Sequence, residues 1–184
     1  MGKIIVSEFL SLDSVMEAPE TWHFPYISDD MAAHIEAQVN ATDVMLYGRV
    51  TYAIFAGFWP TDAAKGESLA DKINRTPKYV VSTTLASADW QNSTLIKTNV
   101  IDAIARLKQE TQGTIGITGS ATLIRALTQA GLIDEFQFLV HPIVLGKGLR
   151  LFDGLASTVP LKLVETKTFT SGVVLLTYQP ASPA

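Results

Sequence analysis

The stretch TIGITGSATLIRAL, residues 114–127, decides the fold class because its hydrophobic period changes halfway along. It opens with a short apolar run, which is typical of a buried strand. Apolar residues then recur at helical spacing, which predicts a helix over 120–130. Gly119 and Ser120 separate the two elements, and two interpretations of them remain open. Either Ser120 caps the helix, or the free N–H groups of the helix start bind an anion.

Strand and helix patterns alternate on both sides of this stretch. The sequence predicts strands over 3–9, 43–47, 79–82, 94–97 and 115–117, and helices over 29–42, 51–58, 69–75 and 99–113. From residue 133 onward only strand patterns follow, and the last two, over 161–170 and 172–178, are joined by a turn at Ser171-Gly172. Alternation indicates a parallel sheet with helices on its faces, and the last strands add an antiparallel hairpin. The predicted class is therefore α/β with a mixed, mainly parallel sheet.

Length and composition fit a single domain over residues 1–184, with a frayed tail over 180–184. Of the residues, 47% are hydrophobic and 17% charged, which excludes the disordered class. The net charge is −4 and no block of Lys or Arg occurs, so neither nucleic acid nor a membrane is an expected partner. The absence of cysteine excludes disulfides and thiolate metal sites, and no metal is expected. No apolar run approaches the ~18 residues of a membrane span, and we expect a cytoplasmic protein.

Three polar stretches follow predicted strands, at the strand ends where a parallel sheet binds ligands. They are Gly48, Arg49 and Thr51; Ser82, Thr83 and Thr84; and Gly119, Ser120, Ala121 and Thr122. Helix-start N–H groups, a guanidinium and hydroxyls suit phosphate oxygens. Each stretch also has an ordinary interpretation, as a surface Arg beside a cap, as hydroxyls that satisfy loop backbone, or as a cap. Together they predict a cofactor with more than one phosphate, although the glycine spacing does not match the dinucleotide fingerprint G-x-G-x-x-G.

A long first loop, over residues 10–28, contains Asp13, Glu17 and Trp22. A carboxylate in such a loop can take part in proton transfer, and Trp22 can shield a site from water. The alternative is that Asp13 caps a turn and Trp22 packs in the core. His34-Ile35-Glu36 matches the first half of a zinc deaminase signature, but the cysteine half is absent. Neither a G-x-S-x-G elbow nor a P-loop occurs, so hydrolase and P-loop functions lack support.

Several motifs in a fixed order resemble a known family. They are Ser11-Leu12-Asp13-Ser14-Val15-Met16-Glu17, Gly48-Arg49-Val50-Thr51-Tyr52, Lys78 to Leu85, Gly119 to Leu127, Gly131 to Glu135 and Pro142 to Gly148. Over residues 3–179 the chain resembles the dihydrofolate reductase-like superfamily. More closely, it resembles stand-alone relatives of the reductase domain of the bifunctional riboflavin-biosynthesis deaminase–reductase. Ser14 stands where that family often has glycine.

The resemblance implies a sheet of about eight strands flanked by helices, NADPH as hydride donor, and a homodimer. It assigns Gly48, Arg49 and Thr51 to the cofactor phosphates, with Arg49 suited to a 2′-phosphate. It assigns residues 82–84 to the adenosine side and residues 119–122 to the pyrophosphate. Asp13 and the loop after it, with Glu17 and Trp22, would border the nicotinamide and the substrate. Asp30 lies roughly where dihydrofolate reductases carry the acid that binds the pterin, but it also suits an ordinary helix start.

The expected function is therefore an NADPH-dependent oxidoreductase that acts on a small heterocyclic or ribosyl-linked substrate. It would be similar to the 5-amino-6-(5-phosphoribosylamino)uracil reductase of riboflavin biosynthesis, with Asp13 as the candidate catalytic residue and either Asp13 or water as proton donor. Three alternatives stay open. They are a dihydrofolate or pterin reductase, an NADPH-binding protein without turnover, and a structural or interaction protein.

Overall fold

The computed structural model describes residues 1–181, which contain an eight-stranded sheet. Its strands are β1 (Lys3–Ser11), β2 (Thr42–Gly48), β3 (Lys78–Val81), β4 (Ser93–Ile96), β5 (Thr114–Ile117), β6 (Glu135–His141), β7 (Leu161–Thr168) and β8 (Val174–Pro180). In space they lie in the order β4-β3-β2-β5-β1-β6-β8-β7. The strands from β4 to β6 in this order pair in parallel, whereas β8 runs antiparallel to β6 and β7. The predicted α/β class, mixed sheet and C-terminal hairpin are confirmed.

Helices cover both faces of this sheet. They are α1 (Asp29–Asn40), α2 (Arg49–Ala56), α3 (Ala70–Arg75), α4 (Val100–Glu110) and α5 (Ala121–Gln129). Along β2, Val44 and Leu46 join the core beneath α4 and α5, whereas Met45 and Tyr47 join the core beneath α2 and α3. Successive side chains of a strand point to opposite faces, so a strand covered on both faces is apolar throughout. This explains the unbroken apolar run that predicted β2.

Some boundaries differ from the prediction. The first strand continues to Ser11, and the helix predicted to reach residue 113 ends at Glu110. Two residues of the predicted frayed tail are held in place, because Pro180 belongs to β8 and the Ala181 N–H donates to the Pro160 carbonyl at 2.9 Å. Residues 182–184 of that predicted tail lie outside the described residues. Within the described chain, none of the helices combines the length and apolar character needed to cross a membrane.

Candidate functional site

Two loops meet where the neighbouring strands β2 and β5 end. β2 leads through Gly48 directly into α2, and β5 leads through residues 118–120 into α5. The Gly48 N–H donates to the Gly119 carbonyl at 3.4 Å, which links the two turns. The sheet therefore brings two of the three predicted cofactor stretches into direct contact.

The two glycines make this contact possible. A Cβ added to Gly48 would collide with the Ser120 side chain, and a Cβ added to Gly119 would collide with the Thr51 hydroxyl. Gly119 also has a φ of +59°, a conformation that residues with a Cβ rarely adopt. Any side chain at either position would push the two helix starts apart.

Both helix starts keep their first N–H groups free of side-chain caps. Within residues 1–181, neither Gly48 at α2 nor Ser120 at α5 makes a side-chain capping hydrogen bond, so the interpretation in which the Ser120 side chain caps the helix is not supported. Neither first turn carries an acid, whereas α1 begins with two aspartates and α4 has Asp102. Uncapped N–H groups and the helix dipole give each start a partial positive charge. The arrangement suits an anion that bridges both helices.

Side chains around these starts add polar groups. Arg49 and Thr122 are exposed, Thr51 is half-buried, and Ala121 is buried against the core. Within residues 1–181 the Arg49 guanidinium makes neither a hydrogen bond nor an ion pair. It stands beside the first N–H groups of α2, where a phosphate oxygen could reach both.

The third predicted stretch divides into structural and exposed parts. Ser82 is buried, and its Oγ accepts the N–H groups of Thr84 at 3.2 Å and Leu85 at 3.0 Å. This matches the alternative in which a hydroxyl satisfies loop backbone. Thr83 and Thr84 are exposed at the carboxyl end of β3, beside the end of β2. These two hydroxyls are the ones that a ligand could reach.

Asp13 connects the first loop to the segment after β6. Its carboxylate accepts the N–H groups of Leu145 at 3.0 Å and Gly146 at 2.9 Å, and its Oδ2 lies 3.4 Å from the Arg150 guanidinium. Hydrogen bonds from the Leu145 N–H and the Ser11 hydroxyl, ahead of smaller contributions, lower the pKa of Asp13 to about 2. The group is therefore ionised near neutral pH and is poorly suited to donate a proton. These contacts match the alternative in which Asp13 caps a turn.

Glu17 and Trp22 complete the same connection. The Glu17 carboxylate accepts the Leu149 N–H at 3.0 Å, and the buried Trp22 indole N–H donates to the Glu17 carbonyl at 3.0 Å. Loop residues 12–22 are thus fastened to residues 143–151, and these two segments directly follow the carboxyl ends of β1 and β6.

Asp30 makes its contacts at the start of α1 and with the turn that follows β7. Its carboxylate accepts the Ser28 hydroxyl at 2.5 Å, and the Thr170 N–H and hydroxyl at 3.0 and 2.9 Å. The Ser28 hydrogen bond is the largest influence that lowers the pKa of Asp30 to about 2. Asp30 ties the start of α1 to the turn between β7 and β8. These contacts match the alternative in which Asp30 is an ordinary helix-start acid.

Aromatic rings from β1, the first loop and β6 form a cluster that was not predicted. It comprises Phe9, Trp22, His23, Tyr26 and His141. His141 is fully buried, and its Nδ1 lies 2.8 Å from the Leu139 carbonyl. Within the described residues, His141 Nε2 and His23 Nδ1 are buried without hydrogen-bond partners. Burial lowers the pKa of His141 and lowers that of His23 to about 4, so both rings are neutral at pH 7.

Glu8 is a further residue that sequence reasoning missed. It lies in the middle of β1 with only 6% of its surface exposed, and its Oε1 accepts the Gly119 N–H. Burial, partly offset by the Gly119 hydrogen bond, raises the pKa of Glu8 to about 8. The available signal was its position, because Glu8 follows Ile4 and Val6 and precedes Leu10 at every second residue and so shares their inward face of β1. An acid at an inward strand position requires an explanation.

A family model described as the RibD C-terminal domain matches residues 2–175. This chain belongs to the RibD C-terminal domain family. Among curated proteins it is similar to the uncharacterized protein YyaP of Bacillus subtilis strain 168. The two are 34% identical over 142 residues, which cover 76% of this chain and 75% of YyaP. The resemblance that the motifs indicated is thereby confirmed.

Solved structures share the fold of this RibD C-terminal domain. The "Putative riboflavin biosynthesis protein" of Shewanella sp. PV-4 superposes with a TM-score of 0.79 at 21% identity, over 98% of this chain and 99% of that one. A deaminase/5-amino-6-(5-phosphoribosylamino)uracil reductase of Thermotoga maritima gives 0.70 at 14% identity, over 98% of this chain but 57% of that longer one. Dihydrofolate reductase of Enterococcus faecalis, complexed with NADP(H), gives 0.66 at 14% identity, over 98% and 97%. The dihydrofolate reductase-like fold is confirmed.

Proposed function

We propose that this RibD C-terminal domain protein is an NADPH-dependent reductase of a small heterocyclic or ribosyl-linked substrate. The observation that carries the proposal is the pair of uncapped, acid-free helix starts that touch through Gly48 and Gly119. Two such starts side by side provide donors for two neighbouring phosphates. A diphosphate-containing cofactor fits this arrangement better than a single small anion does.

The residues present fit NADPH in type and in position. N–H groups at the starts of α2 and α5 would hold the diphosphate, because neither start is closed by a side chain. The exposed Arg49 would meet the 2′-phosphate, and Thr83 and Thr84 would lie on the adenosine side. The E. faecalis neighbour in the same fold is complexed with NADP(H). When bound, NADPH supplies the hydride.

The chain's own contribution is orientation and exclusion of water. Asp13 and Glu17 fasten the first loop to residues 145–149, next to the ends of β1 and β6. The rings of Phe9 and Trp22 pack edge-on against His141, and a planar substrate that displaced part of this cluster would meet the free nitrogens of His23 and His141, which accept N–H groups. Because Asp13 is ionised, a water molecule is the better proton donor.

A second candidate is an NADPH-binding protein without turnover. It is favoured by the close packing of the aromatic cluster, in which Trp22 and His23 are less than 10% exposed and His141 is fully buried. A substrate would have to displace part of this cluster. The two functions share a cofactor site and differ in turnover.

Titration of the protein with NADPH and NADH, followed by cofactor fluorescence, tests the cofactor site. We expect Arg49→Ala to weaken NADPH binding about tenfold and to leave NADH binding nearly unchanged, because the guanidinium meets the extra phosphate. Arg106→Ala is the matched control, since Arg106 is an exposed arginine on α4, away from both helix starts. Unchanged NADPH affinity in Arg49→Ala would refute the cofactor geometry.

Turnover is then measured as NADPH oxidation. The substrates are 5-amino-6-(5-phosphoribosylamino)uracil and dihydrofolate, offered separately at saturating NADPH. Oxidation with the first substrate alone is the expected result. Oxidation with dihydrofolate would favour the pterin reductase, and NADPH binding without oxidation of either would favour the binding protein.

We also propose a homodimer. Three exposed apolar side chains, Leu12, Val144 and Leu149, lie on the two segments that follow β1 and β6, and the Leu12 N–H bonds the Ile143 carbonyl at 2.8 Å. Exposed apolar side chains brought together in this way suit a self-complementary contact. Light scattering at micromolar concentration tests this, and a monomer mass would refute it.

A further inference from the structure

A buried carboxyl group lies directly behind the paired helix starts. Glu8 is on β1, and the parallel register that pairs Val6 with Ile117 brings Glu8 alongside Gly119. The Glu8 carboxyl accepts the Gly119 N–H, and the Gly119 carbonyl in turn accepts the Gly48 N–H. One residue thus connects Glu8 to the turns that begin both α2 and α5.

No cation balances this carboxyl within residues 1–181. The titratable groups on the elements around it are Lys3 on β1, Arg49 and Tyr52 on α2, Asp102, Arg106, Lys108 and Glu110 on α4, Arg125 on α5, and Glu135 and His141 on β6. None of the cationic ones lies within ion-pair distance of Glu8. Arg125 instead donates to the carbonyls of Arg150 and Leu151. β5 carries no titratable side chain.

The charge of Glu8 therefore affects the electrostatic potential at the starts of α2 and α5. A carboxylate there would oppose the partial positive charge of the two helix starts and would repel phosphate. A neutral carboxylic acid leaves that positive charge intact and still accepts the Gly119 N–H. Because burial raises the pKa of Glu8 to about 8, the neutral acid and the carboxylate both occur within the pH range used in the experiments below.

We propose that Glu8 couples dinucleotide binding to proton uptake. When a dinucleotide phosphate binds at the starts of α2 and α5, one proton passes from solvent to a Glu8 carboxyl oxygen, and no other bond changes. Glu8 acts through the Gly119 peptide and is a positioning residue. The inference rests on the proposed cofactor site.

Titration calorimetry with NADPH tests the coupling without reference to turnover. Heats measured near pH 8 in buffers of different ionisation enthalpy give the number of protons taken up. For the wild type we expect about half a proton per NADPH, because about half of the free protein is already protonated there. We also expect the NADPH dissociation constant to rise about tenfold from pH 7 to pH 9.

Glu8→Gln keeps a neutral acceptor for the Gly119 N–H and removes the titration. In this variant we expect no proton uptake and less than a twofold change in affinity over the same range. Glu135→Gln is the matched control, because Glu135 bonds only Gln137 and Gln179 among the described side chains and should keep the wild-type behaviour. Circular dichroism establishes that each variant is folded.

The outcomes separate the two proposals. Wild-type protein that binds neither NADPH nor NADH at any pH would refute the proposed function. NADPH binding without proton uptake near pH 8, or equal uptake by wild type and Glu8→Gln, would overturn the role of Glu8 and leave the cofactor site standing. If Glu8→Gln fails to fold, the number of protons that the wild type takes up on binding NADPH near pH 8 is the deciding measurement, and a value of zero would overturn the role of Glu8.

Discussion

Replacing Glu8 with glutamine should change the pH dependence of stability, whether or not a cofactor binds. Glu8 is 6% exposed, and burial raises its pKa in the folded protein from 4.5 to about 8. The folded state therefore holds this proton more tightly than the unfolded chain does. The stability that comes from the protonated acid is fully present below about pH 4.5 and is lost as the pH rises through about 8.

The size of the effect follows from this difference in pKa. Between these two pKa values, wild-type stability should fall relative to Glu8→Gln by about 1.4 kcal/mol for each pH unit. From pH 5 to pH 9 the difference between the two free energies of unfolding should grow by roughly 4 kcal/mol. Above about pH 8 it should level off, because the folded protein then ionises as well.

Urea unfolding at intervals from pH 5 to pH 9, followed by tryptophan fluorescence, measures this difference. Trp22 and Trp90 are both buried and should report unfolding. Glu135→Gln is the control, because it makes the same substitution at a partly exposed glutamate on the neighbouring strand β6. The result that would refute the reasoning is a difference in unfolding free energy between wild type and Glu8→Gln that varies by less than about 1 kcal/mol from pH 5 to pH 9. Glu8 would then ionise in the folded protein much as it does in the unfolded chain.

Two further substitutions test the geometry of the site. Gly119→Ala should destabilise the protein by more than Gly131→Ala, which is expected to cost about 1 kcal/mol. Both glycines have positive φ, but only the new Cβ at 119 would meet another residue, Thr51, so equal losses in urea unfolding would contradict the close contact of the two turns. Asp13→Asn should speed proteolysis within residues 12–22, because the carboxylate holds that loop to Leu145 and Gly146. Unchanged cleavage, with Asp62→Asn at an exposed turn as control, would contradict that role.

The fold was largely predictable because its signals are local. Strand and helix periods in residues 114–130 fixed one strand–turn–helix unit, and its repetition fixed the sheet class. The family motifs added the number of strands and the placement of the cofactor stretches. Boundaries were less accurate, because a helix end depends on backbone hydrogen bonds that the pattern does not contain.

The roles of single side chains were harder to predict. Asp13 and Asp30 were candidates for chemistry because they are carboxylates near the expected site. Their partners are the N–H groups of Leu145 and Thr170, each more than 130 residues away in the chain. Those partners hold both carboxylates in structural roles. The Leu145 hydrogen bond is also the largest influence that lowers the pKa of Asp13, whereas for Asp30 that influence is the nearby Ser28 hydroxyl. Ser120 likewise has the residue type of a cap without making the capping bond.

By itself, the sequence determined the α/β class, the order of the elements and the location of glycines and hydroxyls at strand ends, since these depend on neighbours in the chain. Only the tertiary structure decided that Gly48 and Gly119 touch, that Glu8 lies behind them, and that His141 is buried in the aromatic cluster. These facts depend on which strands pair and which segments cover them. Charge, burial and the pKa of a group arise from such distant contacts, and no local pattern contains them.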